Sequence, residues 1–171
     1  MSIRIEELKE ASSKNYNISV KSLNEALVLN IKTAFLCHSH KDKDLAEGLQ
    51  VIFQEHGLKL YIDWQDVEMP DEPDKTTADC IKSKIKSLDL FIFLATPNSI
   101  ESNWCPWEIG YADAAKYNND IIIIVTQDKS GNFYGNEYLR LYKQISETDT
   151  GGYALFEVDS ENGILLKNIS L

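Results

Sequence analysis

The chain has 171 residues, 43% hydrophobic and 26% charged, the balance of an ordinary globular protein with room for one domain and a sizeable core. Its formal net charge of −10 and pI near 4.7 count against a nucleic-acid partner or an anionic membrane surface, since both call for clustered Lys and Arg. No apolar run approaches the roughly 18 residues of a membrane span, the start MSIRIEELKEASSKN lacks the apolar core of a signal peptide, and Cys37, Cys80 and Cys105 form no C-x-x-C pair, which fits reduced thiols in a cytoplasmic protein.

Residues 1–31 read as a polar N-terminal extension, partly helical, ahead of a main domain over 32–171. Within it Val20, Leu23, Leu27 and Val28 fall at helical spacing and predict a helix packed on the body. TAFLCH (33–38) is a short apolar run, hence a buried strand. Ser39 follows three residues before Asp42, a helix-start pattern. The helix carries Leu45, Leu49, Ile52 and Phe53 on one face and ends at Gly57. LKLYID (58–63) predicts the second strand, and residues 64–75 an acidic, proline-bearing loop. TADCIKSKIKSL predicts a helix with Ala78, Ile81 and Ile85 inward. DLFIFLAT (89–96) is apolar almost throughout, as suits a strand covered on both faces. After the loop PNSIESN comes a helix from WCPWEIGYADAAKY, then the β-branched strand DIIIIVT (120–126). NEYLRLYKQI predicts a short helix and YALFEV (153–158) the fifth strand.

Strand and helix alternate, which predicts an α/β fold: a parallel sheet with helices on both faces. Ligands in such sheets bind beyond the carboxyl ends of the strands, near the switch in strand order. The loops there are SHKD, WQDVEMPDEPD and PNSIESN. The helix carrying Glu108 starts directly after the last of them, so its first turn should border the crevice.

The usual nucleotide-phosphate cradles, G-x-G-x-x-G and G-x-x-x-x-G-K-[ST], do not occur, nor does the G-x-S-x-G elbow. His38 and His40 alternate on a strand end with no cysteine at ligand spacing, so no metal site is expected. Glu108 admits two readings. An acid in the first turn of a helix gains from the free N–H groups there, and Pro106 is tolerated for the same reason. Alternatively, Trp104 and Glu108, four apart, share one helix face, with Trp107 and Tyr111 a second pair beside them. A flat aromatic next to a carboxylate can stack a planar base and set the acid beside the attached sugar. The helix start would then favour the ionised acid, suited to steadying an oxocarbenium-like sugar. The tryptophans also have a plainer reading, as packing anchors.

TAFLCHSHKDKDLAEGL, LKLYIDWQD with the acidic stretch to Asp74, and above all DLFIFLATPNSIESNWCPWEIGYADA, with its S-x-x-S-x-W segment and W-x-x-x-E spacing, together resemble a bacterial stand-alone TIR (Toll/interleukin-1 receptor) domain. GNFYGNEYLRLY is similar to a segment of bacterial relatives, and the likeness covers about residues 32–158. The resemblance implies a flavodoxin-like, three-layer sandwich with a five-stranded parallel sheet. It also implies an enzyme that breaks the nicotinamide–ribose N-glycosidic bond of NAD, giving nicotinamide plus ADP-ribose or a cyclic ADP-ribose signal, in anti-phage (Thoeris-like) defence. Glu108 falls on the catalytic glutamate and Trp104 on the base-stacking aromatic. His38 and Ser39 fall on the loop beside the nucleotide, and Trp107 and Asp63 are counted with the substrate-binding residues. NAD is then a substrate, and no separate cofactor is implied. Expected partners are other copies of the chain, through TIR surfaces, and an effector protein that senses the product. The crowding of Asp66, Glu68, Asp71, Glu72 and Asp74 in the loop after the second strand, the BB loop, argues against direct contact of that loop with phosphates. Two rival readings remain: a non-enzymatic TIR interaction module using the acidic loop, and a nucleoside deoxyribosyltransferase-like enzyme.

Overall fold

A computed structural model describes residues 2–14, 23–70 and 74–166. Its centre is three strands that the sequence marks as continuous apolar runs: β2 (Lys32–Cys37), β4 (Leu90–Ala95) and β5 (Ile121–Gln127). Each is buried on both faces, and alternate residues feed two separate cores. Leu36, Ile92, Leu94, Ile122 and Ile124 face one side. Phe35, Cys37, Phe91, Phe93, Ile121 and Ile123 face the other. Phe35 stacks on Phe91 with centroids 5.7 Å apart, so aromatic area fills the second core across adjacent strands.

The first core is covered by α3 (Lys43–Glu55), whose Leu45, Leu49, Ile52 and Phe53 are buried as their spacing predicts. Gly57, at φ 77°, ends that helix and leads into β3 (Leu58–Tyr61). The second core is covered by α4 (Lys75–Ser87), through Ile81 and Ile85, and by α6 (Cys105–Ala115), through Ile109 and Ala112. Between β4 and α6, Pro97–Ile100 forms the single turn α5.

In the sheet β3, β2, β4 and β5 lie side by side, all parallel, with Ala34 opposite Leu60, Leu36 opposite Ile92 and Phe93 opposite Ile123. The fifth parallel strand is β7 (Lys143–Glu147), paired with β5. It occupies the segment expected to be helical, of which only Glu137–Leu141 winds, as a 3-10 turn. YALFEV, expected to be the fifth parallel strand, is instead β8 (Tyr153–Phe156), which runs antiparallel to β7 and is followed by antiparallel β9 (Gly163–Leu165). The reason is local. Gly151 and Gly152 sit at φ 81° and 88°, a left-handed pair that turns the chain back at once, whereas a parallel return needs a crossover of a dozen residues or more.

The N-terminal segment is joined to the same body. β1 (Ile3–Arg4) pairs parallel with the end of β5, and Ile3 and Leu8 are fully buried in the first core. β6 (Phe133–Tyr134) pairs antiparallel with the same end of β5. The helix α1 (Ile5–Ser13) lies so close on α3 that a Cβ placed on Gly48 would stand 1.9 Å from the Leu8 carbonyl oxygen. That oxygen belongs to backbone and cannot swing aside. Gly48→Ala is therefore expected to push α1 off α3 and cost about 2 kcal/mol or more, read as a lower urea midpoint. An unchanged midpoint would mean that α1 contributes nothing to the body. The helix expected around 20–28 is present as α2 (Leu23–Val28). Val20 lies outside the described residues, and Val28 is 85% exposed instead of packed. Among the described residues no helix is long and apolar enough to cross a membrane.

Candidate active site

The chain runs from β2 to β3 in one direction and then to β4 on the other side of β2, so strand order reverses at β2. The carboxyl ends of β2, β3 and β4 open there into a crevice of about 740 Å³, a size that suits a small organic molecule. Its walls are His38, Ser39 and His40 after β2, Asp63 and Trp64 after β3, and Asn98, Ser102, Trp104 and Glu108 after β4. A buried polar tie holds the rim together. Asp42 accepts from Thr96 Oγ1 at 2.5 Å and from Asn98 Nδ2 at 2.6 Å. The first-turn acid of the sequence thus links the β2 and β4 loops.

Glu108 lies at the crevice in the first turn of α6, and its position separates the two readings of it. The helix start is served by Ser102, whose Oγ accepts from the backbone N–H groups of Trp104 at 3.1 Å and Cys105 at 3.3 Å. The Glu108 carboxyl caps nothing. It is 5% exposed and has no ion-pair partner among the described residues. Burial pushes its pKa up to about 8, with the negative character of Cys105 and Asp63 adding to the shift and a hydrogen bond from the Cys37 thiol opposing it. The sequence expectation of an ionised acid at a helix start is therefore reversed, because desolvation outweighs the helix dipole. The Cys37 thiol, buried beneath, is itself pushed up by burial and stays a neutral donor.

Trp104 borders the crevice with one part of its ring and packs on the second core with the rest. Trp107 stands edge-on to it, centroids 5.4 Å apart and planes at 86°. Trp107 does not line the crevice. It is 37% exposed, stacked on Tyr111 with Lys82 above its ring. Helical rotation accounts for this: Trp104 and Glu108 are one turn apart and share a face, while Trp107 is turned about 100° from Glu108.

His38 and Ser39 line the crevice as expected. Ser39 accepts from the Lys41 N–H and so starts the 3-10 turn His40–Asp42, with α3 following, not leading. His38 is locked as a neutral ring. Trp64 Nε1 can only donate, and it lies 3.1 Å from His38 Nε2. The proton is then on Nδ1, 3.1 Å from the Leu36 carbonyl. Burial lowers the His38 pKa against the pull of Asp63, in keeping with that neutral form. Asp63 stands between the histidines, 3.1 Å from His40 Nε2 and 3.8 Å from His38 Nε2.

The structure thus brings together Glu108, Trp104, His38, Ser39 and Asp63 and leaves out Trp107. Sequence reasoning passed over Trp64, Asp42, Thr96 and Asn98. Trp64 had a usable signal, since it directly follows a strand at its carboxyl end. Among the loop acids, Asp66 is engaged by Lys84 at 2.8 Å and the Tyr61 hydroxyl at 2.7 Å. Asp74 caps α4 in a reciprocal pair with Thr77. Asp71 and Glu72 lie outside the described residues. Lys43 at the rim lies over the Trp64 ring at 4.9 Å.

The model of the TIR domain family matches residues 34–154, which run from within β2 into the start of β8 and hold every crevice residue named above. A Bacillus cereus (strain MSX-D12) protein named "Probable 3′ cyclic ADP-D-ribose synthase ThsB′" is 30% identical over 115 residues, 66% of this chain and 60% of that protein. A Cytobacillus dafuensis protein named "Putative cyclic ADP-D-ribose synthase TIR2" is 27% identical over 81 residues, 46% of this chain and 21% of its own length. The chain thus spans about three fifths of the first relative and a fifth of the second. With a family match over residues 34–154, most of its length, the chain belongs to the TIR domain family.

Proposed function

We propose that this TIR domain breaks the nicotinamide–ribose bond of NAD and closes the remaining ADP-ribose into a cyclic signal. The observation that carries the reading is Glu108: a buried carboxyl with no ion-pair partner among the described residues, aimed at a crevice beside an aromatic wall. Leaving such a group unpaired costs stability, and its use is explained if the missing cation arrives with the substrate. The names of the two relatives support the cyclic product.

Nicotinamide in NAD is cationic and leaves as a neutral base, so the site needs positioning and charge stabilisation more than a strong acid. In this reading Trp104 supplies a flat wall for the ring. The positive charge lowers the Glu108 pKa on binding, and the carboxylate then faces the developing oxocarbenium ion. Water as acceptor gives ADP-ribose, and a second nucleophile of the same molecule gives the ring. Residues 32–171 form the catalytic unit, and 1–31 are an extension docked on it through β1 and α1. The protein works in the cytoplasm, self-associates through TIR surfaces and passes its product to a separate effector in anti-phage defence.

The test is nicotinamide release from NAD by concentrated protein, with the ribosyl products resolved by chromatography. Release accompanied by a cyclic product is expected. No release from folded, concentrated protein, alone or crowded into assemblies, would return the chain to the interaction-module reading.

A further inference from the structure

The NAD-cleaving reading uses Glu108 and Trp104 and leaves a second titratable cluster in the same crevice without a task. His40 Nε2 lies 3.1 Å from Asp63 Oδ2. The other oxygen of Asp63 accepts the Trp64 backbone N–H at 2.8 Å, so the carboxylate is fixed from two sides. Burial works to raise the Asp63 pKa, but the His40 hydrogen bond and both imidazoles hold it below the usual value. An ionised carboxylate only accepts, so the proton between them sits on His40 Nε2. Nδ1 of neutral His40 then carries a lone pair and has no partner among the described residues. Its ring is largely exposed and lines the crevice. One ring nitrogen anchored to a carboxylate and the other free is the arrangement of an oriented general base. His38, with its ring centroid 6.2 Å away, cannot take this part, because both of its nitrogens are engaged.

The geometry points to His40, oriented by Asp63, as the general base that takes the proton from a hydroxyl acceptor during ring closure, and hence to an oxygen-linked cyclic product. The inference rests on the proposed NAD cleavage. In the step the bond from nicotinamide nitrogen to ribose C1 breaks, and its electron pair leaves with nicotinamide. A lone pair of a hydroxyl on the adenosine ribose of the same molecule forms the new C1–O bond. The hydroxyl proton passes to His40 Nδ1, and Asp63 holds the imidazolium until solvent takes the proton. No oxidant, reductant or further reactant is needed. An adenine ring nitrogen would attack through its lone pair with no proton to shed in that step, and would leave the dyad idle. Water can shed its proton to solvent. A ribose hydroxyl held against C1 by its own molecule has His40 beside it as acceptor in place of other waters, so loss of the base penalises closure more than hydrolysis.

The charged and titratable groups facing His40 are Asp63 after β3, Lys43 at the start of α3, His38 at the end of β2 and Glu108 on α6. The Asp63 hydrogen bond dominates and raises the His40 pKa above its ordinary value. The experiment is the ratio of cyclic to linear product from NAD between about pH 5.5 and 9, a ratio that normalises for changes in cleavage rate. In the wild type the ratio is expected to rise with pH as His40 loses its proton and then to level off. His40→Ala should lower it by about 10²-fold, remove its pH dependence, and regain it with added imidazole. Asp63→Asn should shift the wild-type midpoint downward. An unchanged ratio in His40→Ala overturns the inference. So does a loss of nicotinamide release that imidazole does not restore, since that places His40 in bond cleavage. A product linked through an adenine nitrogen overturns it as well. A wild type that releases no nicotinamide overturns the cleavage reading and this one with it, whereas cleavage at an unaltered ratio sinks only the dyad.

Discussion

Glu108→Gln is expected to lower the rate of nicotinamide release by about 10³-fold or more while the fold is kept. The amide has the shape of the protonated acid that the folded chain already holds, and the Cys37 thiol beneath it is a neutral group. What the amide lacks is the negative charge that must appear once a cationic nicotinamide riboside occupies the crevice. The loss should fall on kcat, since the interaction removed is strongest in the transition state. The wild type carries a matching pH signature. Its free enzyme holds Glu108 protonated below about 8, so kcat/KM should rise about tenfold per pH unit up to that point and then flatten. The limb in kcat should lie at lower pH, because the bound cation favours the carboxylate. Release by Glu108→Gln at the wild-type rate would remove the carboxylate from the mechanism, and a kcat/KM profile flat from pH 6 to 9 would contradict its ionisation on binding.

The parts of this picture that were legible in the sequence share one property: each rests on a short-range pattern with a single physical outcome. DLFIFLAT and DIIIIVT are too apolar to be anything but strands covered on both faces, and β4 and β5 are buried as that requires. Four-residue spacing puts Trp104 and Glu108 on one face whatever the helix packs against. The failures came where the outcome depends on distant partners. LRLYKQI carries helical spacing, but the open edge of β5 is the stronger partner, and β7 pairs there. The Gly151–Gly152 turn could have revealed the hairpin, and with it the antiparallel run of β8. The protonation of Glu108 was beyond reach, because a helix start predicts the charged form and only the enclosure of the side chain reverses it. The same holds for Asp42, whose bonds to Thr96 and Asn98 join residues more than fifty positions apart. The interaction-module reading drew on free carboxylates in the acidic loop, and Asp66 and Asp74 turn out to serve the fold itself.

The second large effect expected of Glu108 is on stability, and it runs opposite to the effect on rate. The carboxyl has a pKa of about 8 in the folded chain against 4.5 when free of the fold. Between those values the folded state keeps a proton that the unfolded state has lost. Stability from this group is therefore fully present below about 4.5 and is lost as pH rises, until the folded-state pKa is passed. A shift of this size amounts to about 5 kcal/mol over the whole window at 1.36 kcal/mol per unit. Asp63, Asp66 and Asp89 have lowered pKa values, so they act in the other direction and in another window, losing stability only as the medium becomes strongly acidic. The histidines titrate inside the Glu108 window with opposite signs, His38 lowered and His40 raised. Comparison with Glu108→Gln removes their contribution, because both proteins carry them. The two proteins should melt together near pH 4.5, and the variant should become progressively more stable up to pH 8, by an order of 10 °C in Tm for a chain of this size. Thermal melts of both proteins at half-unit pH steps measure this directly. Curves that stay parallel across the window would mean that Glu108 is ionised in the folded protein at neutral pH. Its negative charge would then be met by a group already in place, and the crevice would not be waiting for a cation. A widening gap, by contrast, measures the stability the fold gives up to hold an unpaired acid beneath its crevice.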